Sequence, residues 1–164
     1  MNKEVQFLIE KLGLNPHPEG GYFKETYRST QASELGHPYS GPRSHSTCIY
    51  FLLTSENFSA FHKIHQDEIW HFYQGSPIAL HIISPEGKYQ LVTIGNNIEK
   101  GEVPQFVVSG GFWFASEVSV AGSYSLAGCT VAPGFDFQDF EMAEKDTLQQ
   151  ICNEQIELIN RLVR

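Results

Sequence analysis

The chain has 164 residues, 41% hydrophobic and 13% aromatic, enough apolar surface for one core that needs no disulfide or metal staples. Charged residues are only 18%, which excludes a disordered or coiled-coil composition, and a formal net charge of −8 would repel a phosphate backbone. No nucleic-acid partner is expected.

Val5, Leu8, Ile9 and Leu12 recur at helical spacing and predict a helix over residues 3–12, with Asn2 as its N-cap and Gly13 at its stop. The run Asn15-Pro16-His17-Pro18-Glu19-Gly20-Gly21 breaks regular structure. From Tyr22 onward the pattern changes to short β-rich runs. These are Tyr22–Arg28, Thr47–Leu53, Ser59–His62, Glu68–Tyr73, Ile78–Ile83, Lys88–Ile94, Gln105–Val108, Phe112–Ala115 and Tyr124–Val131. Gln74-Gly75-Ser76-Pro77 and Ser84-Pro85-Glu86-Gly87 supply turns between them. Strand starts recur about every ten residues without long helical crossovers, the spacing of a sandwich or barrel. Over about 140–163 the chain returns to helix, where Leu148, Ile151, Cys152, Ile156, Ile159 and Val163 form one apolar stripe for packing on the barrel or on a subunit partner. The chain therefore reads as a single all-β domain, barrel about 21–133, with a helix before it and helices after it.

Cys48, Cys129 and Cys152 lie far apart with no Cys-x-x-Cys pair, the usage of reduced thiols in a cytoplasmic protein. No apolar run suits a signal peptide or a membrane span, so no membrane partner is expected.

The chemistry concentrates between residues 62 and 81. His62, His65, Glu68 and His71 are spaced three apart, which on a helix would gather them on one face. Phe58–His62 and Ile69–Tyr73 are aromatic-rich and poor in helix formers, and Gly75-Ser76-Pro77 follows, so two strands joined by a loop over 63–67 is the favoured reading. Alternation then places Ala60 and His62 on one face of the first strand and Glu68 and Trp70 on one face of the second. In that arrangement His62 and Glu68 can meet inside a barrel, either for acid–base work or as a hydrogen-bonded buried pair. His81 is either a core histidine or part of a pocket wall.

Glu68 and Gly75 match the second half of the first motif of the cupin superfamily, and the chain resembles that superfamily. His62 falls at the motif's second His, five residues before Glu68 rather than four, and Ala60 takes the first His slot. In the weaker second motif, Ser109-Gly110-Gly111 stands for Pro-x-Gly and Phe114 for the His. A larger set of blocks resembles the uncharacterised branch called cupin family 5. They include Pro18-Glu19-Gly20-Gly21-Tyr22-Phe23, Tyr27-Arg28-Ser29, Asp67-Glu68-Ile69-Trp70-His71-Phe72-Tyr73, Pro104-Gln105-Phe106, Trp113 and Gly128-Cys129-Thr130-Val131-Ala132-Pro133-Gly134-Phe135-Asp136-Phe137. The resemblance implies a double-stranded β-helix (cupin jelly roll), usually a homodimer, with one small-molecule pocket per subunit. It supplies no reaction.

Three functions stay open within that resemblance. The first is a metal-free enzyme akin to cupin-fold sugar-nucleotide epimerases, acting on a sugar nucleotide or a small anion. There His62 would move a proton, Glu68 would orient it, and Tyr73 is a further catalytic candidate. Trp70, Phe72 and Trp113 would wall the pocket, Arg28 or Arg43 would hold the anion, and His81 and Gln105 are further ligand-binding candidates. The second is a non-catalytic ligand-binding protein. The third is a metal-dependent enzyme, but two of the four usual metal ligands are missing, so no resident metal or other cofactor is expected. A metal on His62 and Glu68 would need His65 or His81 to complete it.

Overall fold

The alternation of inward and outward side chains dictates a molecule built in layers. The structure, a computed structural model, describes residues 3–164, and the expected cap Asn2 lies outside the described residues. In chain order come α1 (Lys3–Leu12), β1 (Asn15–Pro16), β2 (Tyr22–Arg28), β3 (Ala32–Glu34), β4 (Pro42–Ser44), β5 (Thr47–Thr54), β6 (Phe58–Lys63) and β7 (Asp67–Gly75). They are followed by β8 (Ile78–Ile83), β9 (Tyr89–Ile94), β10 (Gln105–Val108), β11 (Trp113–Val118), β12 (Tyr124–Ala132), β13 (Glu141–Met142), α2 (Lys145–Ile151) and α3 (Ile156–Leu162). Two antiparallel sheets, in the orders β1-β2-β5-β12-β7-β10 and β13-β6-β11-β8-β9, make the double-stranded β-helix. β3 and β4 form a separate two-stranded arm.

The period of two explains the layers. In β5, Phe51 and Leu53 point inward and join Trp70, Ala127 and Cys129 of the same sheet. Ile78, Leu80, Ile82, Ile94, Phe114 and Val118 of the other sheet meet them there. The alternate residue Leu52 points outward and is covered by Val5 and Leu14, so α1 and the residues after it seal the back of the six-stranded sheet. On the far side, Phe61, Ile83, Trp113 and Ala115 pack under Leu148, Cys152, Ile159 and Leu162. The C-terminal stripe thus lies on the barrel.

The nine expected strands are present with ends shifted by at most three residues, but four short strands carry no signal in the sequence. Two of these, β1 and β13, are two-residue pairings, and β3 and β4 are three-residue ones, too short for periodicity to register. The C-terminal helix begins at Lys145 rather than about 140, because Glu141–Met142 pairs with β6 instead. A 3-10 turn at Asn153–Gln155 divides it, and the stripe drifts, leaving Ile156 exposed and burying Leu162.

Candidate functional site

The barrel is filled at one end and hollow at the other. The hollow end is a cavity of about 260 Å³. Inward positions of successive strands wall it: Thr47, Ile49 and Phe51 on β5, Glu68 and Trp70 on β7, and Cys129 and Val131 on β12. Phe23, Glu25 and Arg28 come from β2, where a bulge between Glu25 and Tyr27 turns Arg28, not Tyr27, toward the cavity. His62 reaches in from β6, in the opposite sheet to Glu68, so the two sheets bring imidazole and carboxylate into one space.

Two contributors come from segments with no strand signal. The residues before β2 place His17 and Glu19 in the cavity, and the segment after β12 adds Phe135, Asp136, Phe137 and Phe140. Glu19 is almost fully buried; Ser59 Oγ donates to its Oε1 at 2.8 Å, and its Oε2 lies 3.0 Å from His62 Nε2. The other ring nitrogen, Nδ1, is 2.7 Å from the Ala60 carbonyl, which can only accept, so Nδ1 carries a proton. Nε2 thus faces the Glu19 carboxyl, and the two form an ion pair when the imidazole takes a second proton. His17 Nδ1 accepts from the Glu19 backbone N–H at 3.3 Å and lies 3.5 Å from Oε2.

Burial sets the proton affinities. It lowers both imidazoles, His62 and His17, and raises the Glu19 carboxyl. Glu68 is pushed up to about 7 by burial, with the nearby charge of Glu19 adding to the rise and His62 opposing it. The Cys129 thiol donates to Glu68, and burial raises it well above the ordinary thiol range. Burial therefore brings the Glu68 carboxyl into the range where it can give or take a proton near neutral pH.

Of the residues expected from sequence, His62, Glu68, Trp70 and Arg28 line this cavity; six others do not. Arg43 is buried in a two-pronged ion pair with Asp139, both contacts 2.7 Å, and three carbonyls (Ser40, Gly41, Pro42) take its remaining donors. It cannot clamp an anion. Its partner Asp139, also hydrogen-bonded by Gln66 at 2.7 Å, sits in the segment that carries Phe135, Phe137 and Phe140, so Arg43 anchors the aromatic wall from outside. Arg28 donates to Glu25 at 3.0 and 2.7 Å and to the Phe135 carbonyl at 3.1 Å. Tyr73 lies on the outward parity of β7 and is half exposed. His81 bonds Tyr89 and Glu117 at 2.9 and 3.2 Å, away from the cavity. Trp113 packs under the C-terminal helices, with the Lys63 ammonium 4.3 Å from its ring centre. Phe72 belongs to the filled end of the core, and Gln105 is exposed on the edge strand β10. Glu19 carries a sequence signal only through the block Pro18-Glu19-Gly20-Gly21, and His17, just before that block, carries none beyond its place in the structure-breaking run Asn15–Gly21.

The donor set does not fit a cupin metal centre. Ala60 and Phe114 occupy two ligand slots, and the Phe114 ring centre is 4.1 Å from that of His62. Both nitrogens of His62 are already engaged. Among the described residues no group of three or more His, Cys, Asp or Glu side chains is placed to hold a metal ion. Trp70, 1% exposed, has an indole N–H without a partner among the described residues. No helix among them is long and apolar enough to cross a membrane.

The chain is similar to an uncharacterised protein of Saccharomyces cerevisiae, 36% identical over 147 residues that span 82% of this chain and 73% of that one. A hypothetical protein from Leishmania major superposes with a TM-score of 0.90 at 34% identity, covering 97% of this chain and 98% of that one. A protein of Shewanella oneidensis, solved by X-ray crystallography, gives 0.87 at 34% identity over 100% and 99%. The pattern described as Cupin superfamily (DUF985) matches residues 6–143, across both sheets and all of the cavity walls, and the chain belongs to that family.

Proposed function

We propose that this cupin is a small-molecule enzyme of the isomerase or epimerase type, moving a proton to and from carbon without a resident metal. The observation that supports it best is the convergence, from opposite sheets, of Glu68, its pKa pushed up to about 7 by burial, and His62, whose Nε2 lies 3.0 Å from the Glu19 carboxyl. Glu68 takes a proton from a carbon next to a carbonyl, and the Glu19–His62 pair donates to the oxygen where charge develops. The low-dielectric aromatic walls exclude water from the exchange. The cavity is at the lower end of ordinary ligand pockets, roughly 300–1,000 Å³, so the reacting part of the ligand is small and any extension lies outside. The expected sugar nucleotide or small anion has little support, because Arg43 is bound to Asp139 outside the cavity and Arg28, which lines it, is paired with Glu25. The protein acts in the cytoplasm as a homodimer in this reading; its three free cysteines, two of them buried, suit a reducing compartment.

Exchange into heavy water tests it. A panel of small carbonyl compounds is incubated with the protein in D₂O, and deuterium at the carbon beside the carbonyl is followed by NMR. At least one compound is expected to exchange, with exchange lost in Glu68→Gln and His62→Gln and stoichiometric metal absent from the active preparation. A second reading, a non-catalytic binder, is favoured by the self-satisfied chain of contacts Ser59–Glu19–His62–Ala60. Binding of compounds without exchange of any would establish that reading instead.

A further inference from the structure

Four nitrogen-bearing side chains line the cavity, His17, Arg28, His62 and Trp70, and the hydrogen bonds they already make decide which of them can meet a guest. Both nitrogens of His62 are taken, Nδ1 by the Ala60 carbonyl at 2.7 Å and Nε2 by the Glu19 carboxyl at 3.0 Å. The Trp70 indole nitrogen lacks a partner among the described residues, but it is sealed behind its neighbours and offers no surface to a guest. Arg28 is tied to Glu25 and to the Phe135 carbonyl and keeps Nη1 unpartnered, with its side chain 41% exposed. A donor that water already serves gains little by exchanging that water for a ligand.

His17 differs from all three. The Glu19 backbone N–H donates to its Nδ1 at 3.3 Å, so Nδ1 holds a lone pair and the neutral ring carries its one proton on Nε2. Nε2 has no partner among the described residues and, unlike the Trp70 nitrogen, is not sealed off. The side chain is only 8% exposed. Phe23 stands edge-on to the imidazole at 4.6 Å between ring centres, and Phe51, Phe137 and Phe140 surround it at 6.1 to 6.2 Å, which fixes its direction. Burial lowers its affinity for a second proton, with the Glu19 charge opposing and His62 adding, so the ring is neutral at neutral pH. The segment before β2 thus presents an uncharged N–H of fixed tautomer, in apolar surroundings where a hydrogen bond to a guest counts for most.

We infer that His17 holds the guest's acceptor oxygen through Nε2–H, and that the guest is a small ketone or aldehyde with its carbonyl turned toward the segment before β2. The inference rests on the pocket reading above and adds a donor to it. When the proton of the neighbouring C–H bond passes to the Glu68 carboxylate, the electron pair of that bond moves onto the carbonyl oxygen. The His17 hydrogen bond then tightens while its proton stays on the ring.

Two probes of one shape decide it, cyclohexanone and methylenecyclohexane, which differ in having or lacking the acceptor oxygen. Each is titrated into the whole isotope-labelled protein at neutral pH and followed by NMR. The Ile49 methyl groups, on the cavity wall, report occupancy. The imidazole resonances of His17, identified by their loss in His17→Gln, report the donor. The free protein is expected to show the Nε2–H tautomer. Both probes should shift Ile49, and only cyclohexanone should move the His17 Nε2–H proton to lower field. His17→Phe should weaken cyclohexanone binding about three- to tenfold and leave methylenecyclohexane unchanged. A ring protonated on Nδ1 in the free protein overturns the assignment of His17 and leaves the pocket reading standing. So does cyclohexanone shifting Ile49 with the Nε2–H proton unmoved, or equal weakening of both probes in His17→Phe. No shift of Ile49 by either probe at millimolar concentration overturns this inference and the pocket reading together.

Discussion

Glu68 is held at a disadvantage by its own fold. Its carboxyl titrates near 7 in the folded chain against 4.5 for the ordinary group, because burial penalises the charged form. The sign of the linkage follows. Below about pH 4.5 the group is protonated folded and unfolded and has no effect; between 4.5 and 7 the folded chain binds the proton more tightly, so stability falls as pH rises. Above 7 the loss is complete. Glu68→Gln removes it, and the variant is expected to be more stable than the parent at pH 8 by about 1–3 kcal/mol. That gain should fade as the pH drops toward 5; denaturant titrations at both pH values check it, and equal stabilisation at both would show that Glu68 is not the strained group. The facing of His62 and Glu68 was legible from sequence, because the period of a strand fixes which neighbours share a face. The partners of Arg43 and His62 were not. Asp139 lies 96 residues from Arg43, and Glu19 lies 43 residues before His62, distances over which local pattern carries no information.

At the scale of elements, the segment before β2 matters as much as any strand, for it carries His17 and Glu19 across β6. Its backbone is pinned there: Ala60 N–H donates to the Glu19 carbonyl at 2.8 Å. Gly20 lets it lie so close. Its φ of +116° is a conformation that L side chains rarely adopt, and a Cβ there would come 2.0 Å from the Phe58 carbonyl oxygen. Gly87 has the same constraint at the other side of the molecule, with φ +82° and a Cβ 2.0 Å from the Ile151 carbonyl. Ala at either position is expected to destabilise the protein by about 2–4 kcal/mol. Only Gly20→Ala should also move Glu19 from the cluster and take its charge from Glu68. The Glu68 pKa then falls in Gly20→Ala and stays near 7 in Gly87→Ala, as read by carboxyl NMR titration. An unchanged pKa in both would mean that the segment does not set the site. Sequence patterns revealed the strands because most run for six to nine β-favouring residues between turn signals. They were silent on this segment because its order comes from two glycines and an N–H on another strand, not from any periodicity.

The whole molecule consists of three apolar layers separated by two sheets, and that separation has a mechanical consequence. The cavity shares its walls with the core between the sheets, whereas the layer around Phe61, Trp113, Leu148, Ile159 and Leu162 lies behind the five-stranded sheet. Ile159 is fully buried in that outer layer. Truncating it to Ala removes three carbons from a packed site and is expected to lower stability by about 2–5 kcal/mol. For a domain of this size that corresponds to a fall in Tm of roughly 5–15 °C. Interiors transmit strain through contact, and one path from Ile159 to the cavity runs through β6, whose outward Phe61 touches the helices while the next residue, His62, faces the site. β6 is held on both sides, by β11 through the Phe114–His62 register and by β13 through the Met142–His62 register. The lost methylenes should therefore be absorbed by movement of α3, and the Glu68 titration in Ile159→Ala should match the parent even as Tm falls. A shift of that titration together with the drop in Tm would show instead that β6 moves as a lever, carrying changes in helix packing into the acid–base cluster.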